Sequence, residues 1–299
     1  MSTLDDALDL AASHGLRPSP DGATVIEAGL DYRVIMATDE TGNRWVLRIP
    51  RREDVSEGMA AEVRILDFVA PALRSEKVAV PDWRIRTPEL VAYPALPGAP
   101  GLTLSETAEP MWHMDPADPD YAVRLGRLLA CLHSVDAEEA KTAGVEVRSP
   151  EQVRQAWRDD ITTVINEFTV APALATTWHA WIEDDTCWPG HTVMTHGEIY
   201  PTHVLLDADG TITGVLDWTT ARVDDPARDF AFQYGAAGDE VLQVTLDAYE
   251  QAGGHVHPGL AAQARHLWDA SPLGYAIYAL TTEAETDRAT AAAMLNPKA

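Results

Sequence analysis

His196-Gly197-Glu198-Ile199-Tyr200-Pro201-Thr202-His203, then Val204 to Asp207, Ala208-Asp209-Gly210, Thr211 to Leu216 and finally Asp217-Trp218, form the most informative segment of the chain. Two short apolar runs flank an Asp-Gly turn, which is the pattern of a β-hairpin. Gly210 stands midway between His203 and Asp217. Folding about that turn therefore sets the two residues side by side at the open end of the hairpin. An imidazole and a carboxylate at one point make a divalent-cation site, with Asp217 as the hard oxygen ligand that Mg2+ favours. Histidine is a softer ligand, so the part of His203 follows from its position more than from its type.

Written as H-G-[acid]-x-x-x-x-[N/H] and, after a hydrophobic strand, D-[F/W], the same stretch resembles the catalytic loop and metal-binding aspartate of kinases. That resemblance implies phosphoryl transfer. Glu198 stands in the loop entering the hairpin, where a carboxylate can orient a substrate hydroxyl and accept its proton. It is the candidate catalytic base, at a position that is normally aspartate. His203 stands where most kinases carry asparagine. His196 is read as a brace for the loop rather than as a participant in the chemistry.

Towards the N-terminus the chain reads as a strand meander: Thr24 to Ala28, Tyr32 to Thr38 and Arg44 to Ile49. Met59, Val63, Leu66 and Val69 then recur at near-helical spacing, predicting an amphipathic helix that Pro71 stops. Strands follow around Trp83 to Thr87 and Leu90 to Tyr93. Pro94, Pro97, Gly98, Pro100 and Gly101 form the densest breaker cluster in the chain. Beyond it the pattern is helical: Tyr121, Leu125, Leu128 and Leu132 share one face, and further helices are expected over Ser149 to Phe168, Ala173 to Glu183, Glu240 to Gln251 and Leu260 to Asp269. The organisation is α+β and bilobal: a β-rich N-terminal nucleotide-binding lobe with an N-terminal helix over residues 1–93, a hinge over 94–101 and a mainly helical lobe over 102–299.

A formal charge of -25, with only 22 Lys and Arg, argues against nucleic acid, whose phosphates need a basic surface. It would attract a cationic small molecule, and a generally solubilising acidic surface is the equal alternative. Cys131 and Cys187 have neither metal-ligand nor disulfide-framework spacing, so they read as reduced core thiols of a cytoplasmic protein. The first sixteen residues carry Asp5, Asp6 and Asp9 among Leu and Ala, unlike the basic-then-apolar order of a signal peptide. No apolar run approaches the ~20 residues of a membrane helix. No membrane association is expected, and a monomer is.

Across nearly its whole length the chain resembles the aminoglycoside phosphotransferase and antibiotic kinase superfamily, relatives of protein kinases. The resemblance rests on Trp45 to Pro50, Glu62, the Leu125 to His133 segment, the central loop, and Asp224-Asp225-Pro226-Ala227-Arg228-Asp229-Phe230. Within it, Gly29 to Val34, Trp45 to Arg52, Val80 to Trp83 and Tyr93 to Gly98 are most similar to macrolide 2′-phosphotransferases. That family also carries a histidine at the second metal position, so His203 is expected, whereas Glu198 departs from its aspartate. The resemblance implies a protein-kinase-like fold. It also implies transfer of the γ-phosphate of GTP, with ATP as the other candidate donor, to the 2′-hydroxyl of the macrolide's desosamine, with Mg2+, inactivating the antibiotic. Arg48 then occupies the place of the kinase β3 lysine, with Glu62 as its ion-pair partner. Tyr93 looks like a gatekeeper, and Pro94 to Leu96 a segment whose backbone reads the base. The loop from Ala28 to Arg33, with Leu30 and Asp31, stands where a glycine-rich phosphate loop would be. It has only Gly29, and a plain hairpin turn is the other reading. Asp225 reads as a turn residue and Asp229 as an acceptor bracing the loop.

A macrolide needs a broad apolar wall. Leu273, Tyr275 and Tyr278 are the candidates, because Pro272 and Gly274 interrupt the helical pattern there. The acids Asp239, Glu240, Asp247, Glu250, Asp269 and Glu283 leave an aminoglycoside or another hydroxylated amine as the alternative substrate. Glu198 and Arg48 leave an alternative of another class, a nucleotide- and drug-binding pseudokinase.

Overall fold

The computed structural model describes residues 4–27, 31–105 and 109–297. In chain order the elements are α1 (Leu4–Ser13), β1 (Pro18–Ile26), β2 (Tyr32–Asp39), β3 (Arg44–Pro50), α2 (Glu53–Ser75), β4 (Ile85–Thr87), β5 (Leu90–Pro94), β6 (Ala99–Pro100), β7 (Leu102–Leu104) and β8 (Pro110–Trp112). Then come α3 (Pro119–His133), α4 (Ala137–Thr142), α5 (Pro150–Glu167), α6 (Pro172–Glu183), β9 (Val193–Thr195), β10 (Val204–Leu206), β11 (Ile212–Val215) and β12 (Arg222–Asp224). The chain finishes with α7 (Arg228–Gln251), α8 (Leu260–Asp269), α9 (Ser271–Thr282) and α10 (Glu285–Leu295).

These elements form two compact units, neither contiguous in the chain. One comprises the described residues up to 115 with 142–145 and 200–221, and the other comprises 116–141, 146–199 and the described residues from 222. The first is built on an antiparallel sheet ordered β1-β2-β3-β5-β4. One core of this unit lies where α1 sets Ala7, Leu8 and Ala11 against Ile35, Leu47, Leu90 and Ala92. The Pro/Gly-rich stretch expected as a hinge contains β6, which pairs with β10 inside this unit. The second unit is predominantly helical, with α3 against α7, α7 against α8, and α5 and α10 against α9. Tyr121, Leu125, Leu128 and Leu132 are all buried along α3. Ser149 caps α5 reciprocally with Gln152, as a capping box does. The α+β class expected from the patterning is the one observed.

Three expectations need correction. The first strand begins at Pro18 rather than Thr24, with an irregularity between Ser19 and Thr24. β1 is an edge strand of its sheet, a position that tolerates prolines such as Pro18 and Pro20. Pro71 does not stop α2, which runs on to Ser75 and buries Leu73 completely. A proline removes one backbone hydrogen bond there, and the burial of Leu73 offsets that loss. The helix is closed instead just past its end, at Lys77, whose φ of 61° is left-handed. Val78 N–H donates to the Leu73 carbonyl and Lys77 N–H to that of Arg74, a Schellman closure. Finally, Pro272 does stand at a break, since α8 ends at Asp269 and α9 begins at Ser271, but Gly274 lies inside α9 and breaks nothing. Pro272 lies in the first turn of α9, where its missing N–H has no helical partner to lose.

Glycine takes up the left-handed region without the ~1 kcal/mol that a side chain costs there. Lys77→Gly is therefore expected to raise the melting temperature by about 2 °C, measured by differential scanning calorimetry. An unchanged or lower value would count against strain at this cap.

Candidate active site

The central hairpin forms as its sequence requires, with one difference in register. Val204 faces Val215 and Leu205 faces Gly214, after which the pairing shifts so that Leu206 faces Ile212. Asp207 holds the turn, its carboxylate accepting from the N–H groups of Asp209 and Thr211. At the open end it is Leu216, one residue before Asp217, whose N–H donates to the His203 carbonyl, at 2.8 Å. Asp217 then takes a left-handed φ of 57°, a conformation that aspartate tolerates better than most residues. Its Oδ2 ends 3.9 Å from His203 Nε2. The Thr219 hydroxyl donates to Oδ1 at 2.7 Å, and the His203 ring stacks near Tyr200, centroids 5.8 Å apart. Among the described residues no group of three or more His, Cys, Asp and Glu side chains is placed to hold a metal ion. Two donors nevertheless fit Mg2+, which typically takes one or two carboxylates and fills its other positions with water and substrate phosphates.

Arg48 and Glu62 belong to the same unit. Arg48 is 5% exposed and Glu62 1%, and Arg48 Nη1 donates to Glu62 Oε1 at 3.0 Å. Arg48 Nη2 lies 4.0 Å from Asp217 Oδ1. Burial alone would lower the guanidinium's proton affinity, but the charge of Glu62 holds it above the ordinary arginine value. The guanidinium lies over the ring of Tyr32, 3.8 Å from its centroid.

The loop before the hairpin is braced from the helical unit. Asp229, fully buried, accepts from the backbone N–H of His196 at 2.9 Å and of Gly197 at 2.6 Å. Its Oδ2 also lies 3.1 Å from His133 Nε2, and His133 Nδ1 lies 3.0 Å from the Tyr249 hydroxyl. Burial by itself would raise the Asp229 carboxyl, yet the bonds from His133 and Gly197 hold it below the ordinary carboxylate range. Gly197 carries a φ of 87°, which glycine adopts without penalty. The buried His196 side chain accepts from Glu198 N–H through Nδ1 at 3.2 Å. The division between the units falls between Ile199 and Tyr200, so Glu198 belongs to the helical unit and His203 to the sheet unit.

Asp225 is more than a turn residue. It is fully buried and accepts from Ala227 N–H at 2.9 Å and from Gln263 Nε2 at 2.8 Å, while Trp181 Nε1 donates to Gln263 Oε1. Burial pushes its carboxyl up to about 7. The unfolded chain releases this proton near pH 4 and the folded chain near 7, so over that interval the folded state binds more protons. Stability therefore falls as pH rises through the interval and levels off above it. Asp225→Asn is expected to flatten that leg of a urea-unfolding series from pH 4.5 to 7.5; an unaltered slope would mean the proton resides elsewhere.

The remaining candidates are placed as follows. Tyr93 is buried on β5 opposite Val46, Pro94 pairs with Trp45, and Ala95 N–H donates to the Arg44 carbonyl. Leu96 is half-buried against Gly214. Asp31 forms an ion pair with Arg52 at 2.7 Å, and Leu30 lies outside the described residues. Leu273 is fully buried in α9 and is a core residue. Tyr275 and Tyr278 are half-buried neighbours, centroids 5.8 Å apart. The ring of Tyr32 over Arg48 was not foreseen, although strand alternation carries its signal: Arg48 pairs with Val34, two residues from Tyr32.

Residues 22–266 match the family described as "Phosphotransferase enzyme family" (APH). The chain is 52% identical to the crystal structure of macrolide 2′-phosphotransferase MphH from Brachybacterium faecium, with a TM-score of 0.90 over 99% of this chain and 98% of that one. A second solved structure, "Macrolide 2′-phosphotransferase type I", is 37% identical with a TM-score of 0.89, covering 100% of this chain and 99% of that one. "Uncharacterized protein YcbJ" of Bacillus subtilis (strain 168) is 39% identical over 94% of this chain and 92% of its own length.

Proposed function

This chain belongs to the phosphotransferase enzyme family, and from that premise we propose that it transfers the γ-phosphate of GTP to the 2′-hydroxyl of the desosamine sugar of macrolides, inactivating them. The observation that carries this reading is the full-length similarity, at 52% and 37% identity, to two macrolide 2′-phosphotransferases. In the reaction, the sugar hydroxyl oxygen forms a bond to the γ-phosphorus, the bond to the β-phosphate oxygen breaks, GDP leaves, and Glu198 takes the hydroxyl proton. Phosphoryl transfer asks chiefly for positioning and charge stabilisation, and the residues divide along those lines. Arg48, aligned by Glu62, meets the nucleotide phosphates. His203 and Asp217 would hold Mg2+, which when bound would supply positive charge to offset that on the transferring phosphoryl group. Tyr93 and the backbone of Pro94 and Leu96 bound the base, Leu30 and Asp31 border the phosphates, and Tyr275 and Tyr278 offer apolar surface to the macrolide. Leu273 backs them from the core. The enzyme is a monomer of the cytoplasm. Its β-rich nucleotide lobe spans residues 1–93, its hinge 94–101 and its substrate lobe 102–299.

A coupled assay for nucleoside diphosphate release, run with GTP and with ATP over a panel of macrolides and aminoglycosides, tests the reading. Turnover with macrolides and GTP is expected. Turnover with aminoglycosides alone would overturn the substrate assignment, and drug and nucleotide binding without any transfer would establish the pseudokinase alternative.

A further inference from the structure

We propose that Tyr32, with the Trp83 ring also near the guanidinium, is a positioning residue that makes arginine rather than lysine the competent cation at position 48. The proposal rests on the reading of Arg48 as the group that meets the nucleotide phosphates. Tyr32 and Arg48 lie on neighbouring strands, diagonal across the register pair Val34 and Arg48, so the pleat turns both side chains to one face. The guanidinium carbon sits 3.8 Å from the centroid of Tyr32 and 6.0 Å from that of Trp83. All of these side chains are buried, as is Glu62.

The consequence follows from the shape of the cation. A guanidinium is planar and stacks on an aromatic face while its edges keep their donors. Here one face rests on Tyr32, Nη1 is held by Glu62, and Nη2 is aimed towards Asp217, 4.0 Å away. The ring removes the rotation that would let both nitrogens turn to Glu62. A lysine ammonium in this place is a point charge with no second edge. Its three donors share one nitrogen, so once drawn to Glu62 it offers no second nitrogen on the Asp217 side. The departure from lysine is thus a fitted set of residues and not the decay of a motif.

The test is a double-variant cycle on the full chain, with KM and kcat for GTP measured against erythromycin and GTP affinity measured by calorimetry. Arg48→Ala reports on the underlying reading and is expected to raise the KM for GTP by at least about tenfold. Arg48→Lys is expected to resemble Arg48→Ala, Tyr32→Leu to raise KM by about tenfold, as loss of a buried cation–π contact does, and Tyr32→Phe to stay within about twofold. In the Tyr32→Leu background, Arg48→Lys should add less than about twofold, since the constraint that favours arginine has gone. Wild-type KM in Arg48→Lys, or in Tyr32→Leu, while Arg48→Ala is impaired, overturns the proposal and leaves the role of Arg48 intact. Wild-type KM in Arg48→Ala overturns that role, and the proposal with it. Arg48→Lys leaves the core packing around Tyr32 in place, so it decides the matter even if Tyr32→Leu fails to fold.

Discussion

Replacing Glu198 with Gln is expected to lower kcat by about 10²- to 10⁴-fold, the usual worth of a positioned general base, while GTP affinity stays within a few-fold. Gln preserves the length and the backbone bond of Glu198 N–H to His196, so the loop itself should hold. Steady-state kinetics beside GTP calorimetry measure both quantities, and unchanged turnover would remove Glu198 as the base. Glu198→Asp then asks why this chain departs from aspartate. One methylene moves the carboxylate by ~1.5 Å, and displacement of ~1 Å can cost about a hundredfold in rate. A fall in kcat is expected, because Glu198 is held half-buried on a loop fixed from below by Asp229. An acceleration would mean that the glutamate is a poorly fitting substitute and that the site is not built around it.

Asp229→Ala should be the most damaging single change to the fold. One carboxylate accepts from His196 N–H and Gly197 N–H and lies against His133, all from within the helical unit. Its removal leaves buried donors unpaired, and breaking a buried, hydrogen-bonded charge in this way costs about 3–5 kcal/mol. At ~2–4 °C per kcal/mol for a chain of this size, the melting temperature should fall by roughly 10 °C. Activity should fall as well, since the backbone carrying Glu198 loses its anchor. Asp229→Asn retains one acceptor oxygen and should lie between the variant and the wild type. A loss below about 1 kcal/mol in urea unfolding would show that the loop is held by something else.

Much of the site was legible because its parts are close in sequence. The hairpin between His203 and Asp217 announces itself by two apolar runs and an Asp-Gly turn, and the pairing falls one residue from the symmetric estimate. The difference comes from the irregularity after Leu205, which alternation of side chains does not reveal. The left-handed φ of Asp217 compensates by turning the carboxylate back towards His203. Pro71 and Pro272 read as breakers, yet Pro71 lies inside α2 and Pro272 in the first turn of α9, so what a missing N–H costs depends on the element around it.

Sequence alone determined that a strand-rich N-terminal part is followed by a mainly helical one, and that the His203–Asp217 hairpin forms. These follow from periodicity, turn chemistry and motif spacing, all short-range properties. Only the tertiary structure decided that Asp229 reaches back to the backbone of His196 and Gly197, that Asp225 is buried against Gln263, and that Tyr32 lies beneath the Arg48 guanidinium. Each of these joins groups from separate elements, brought together by burial of the surrounding core. Burial is a property of the packed whole, and no local pattern of residues encodes it.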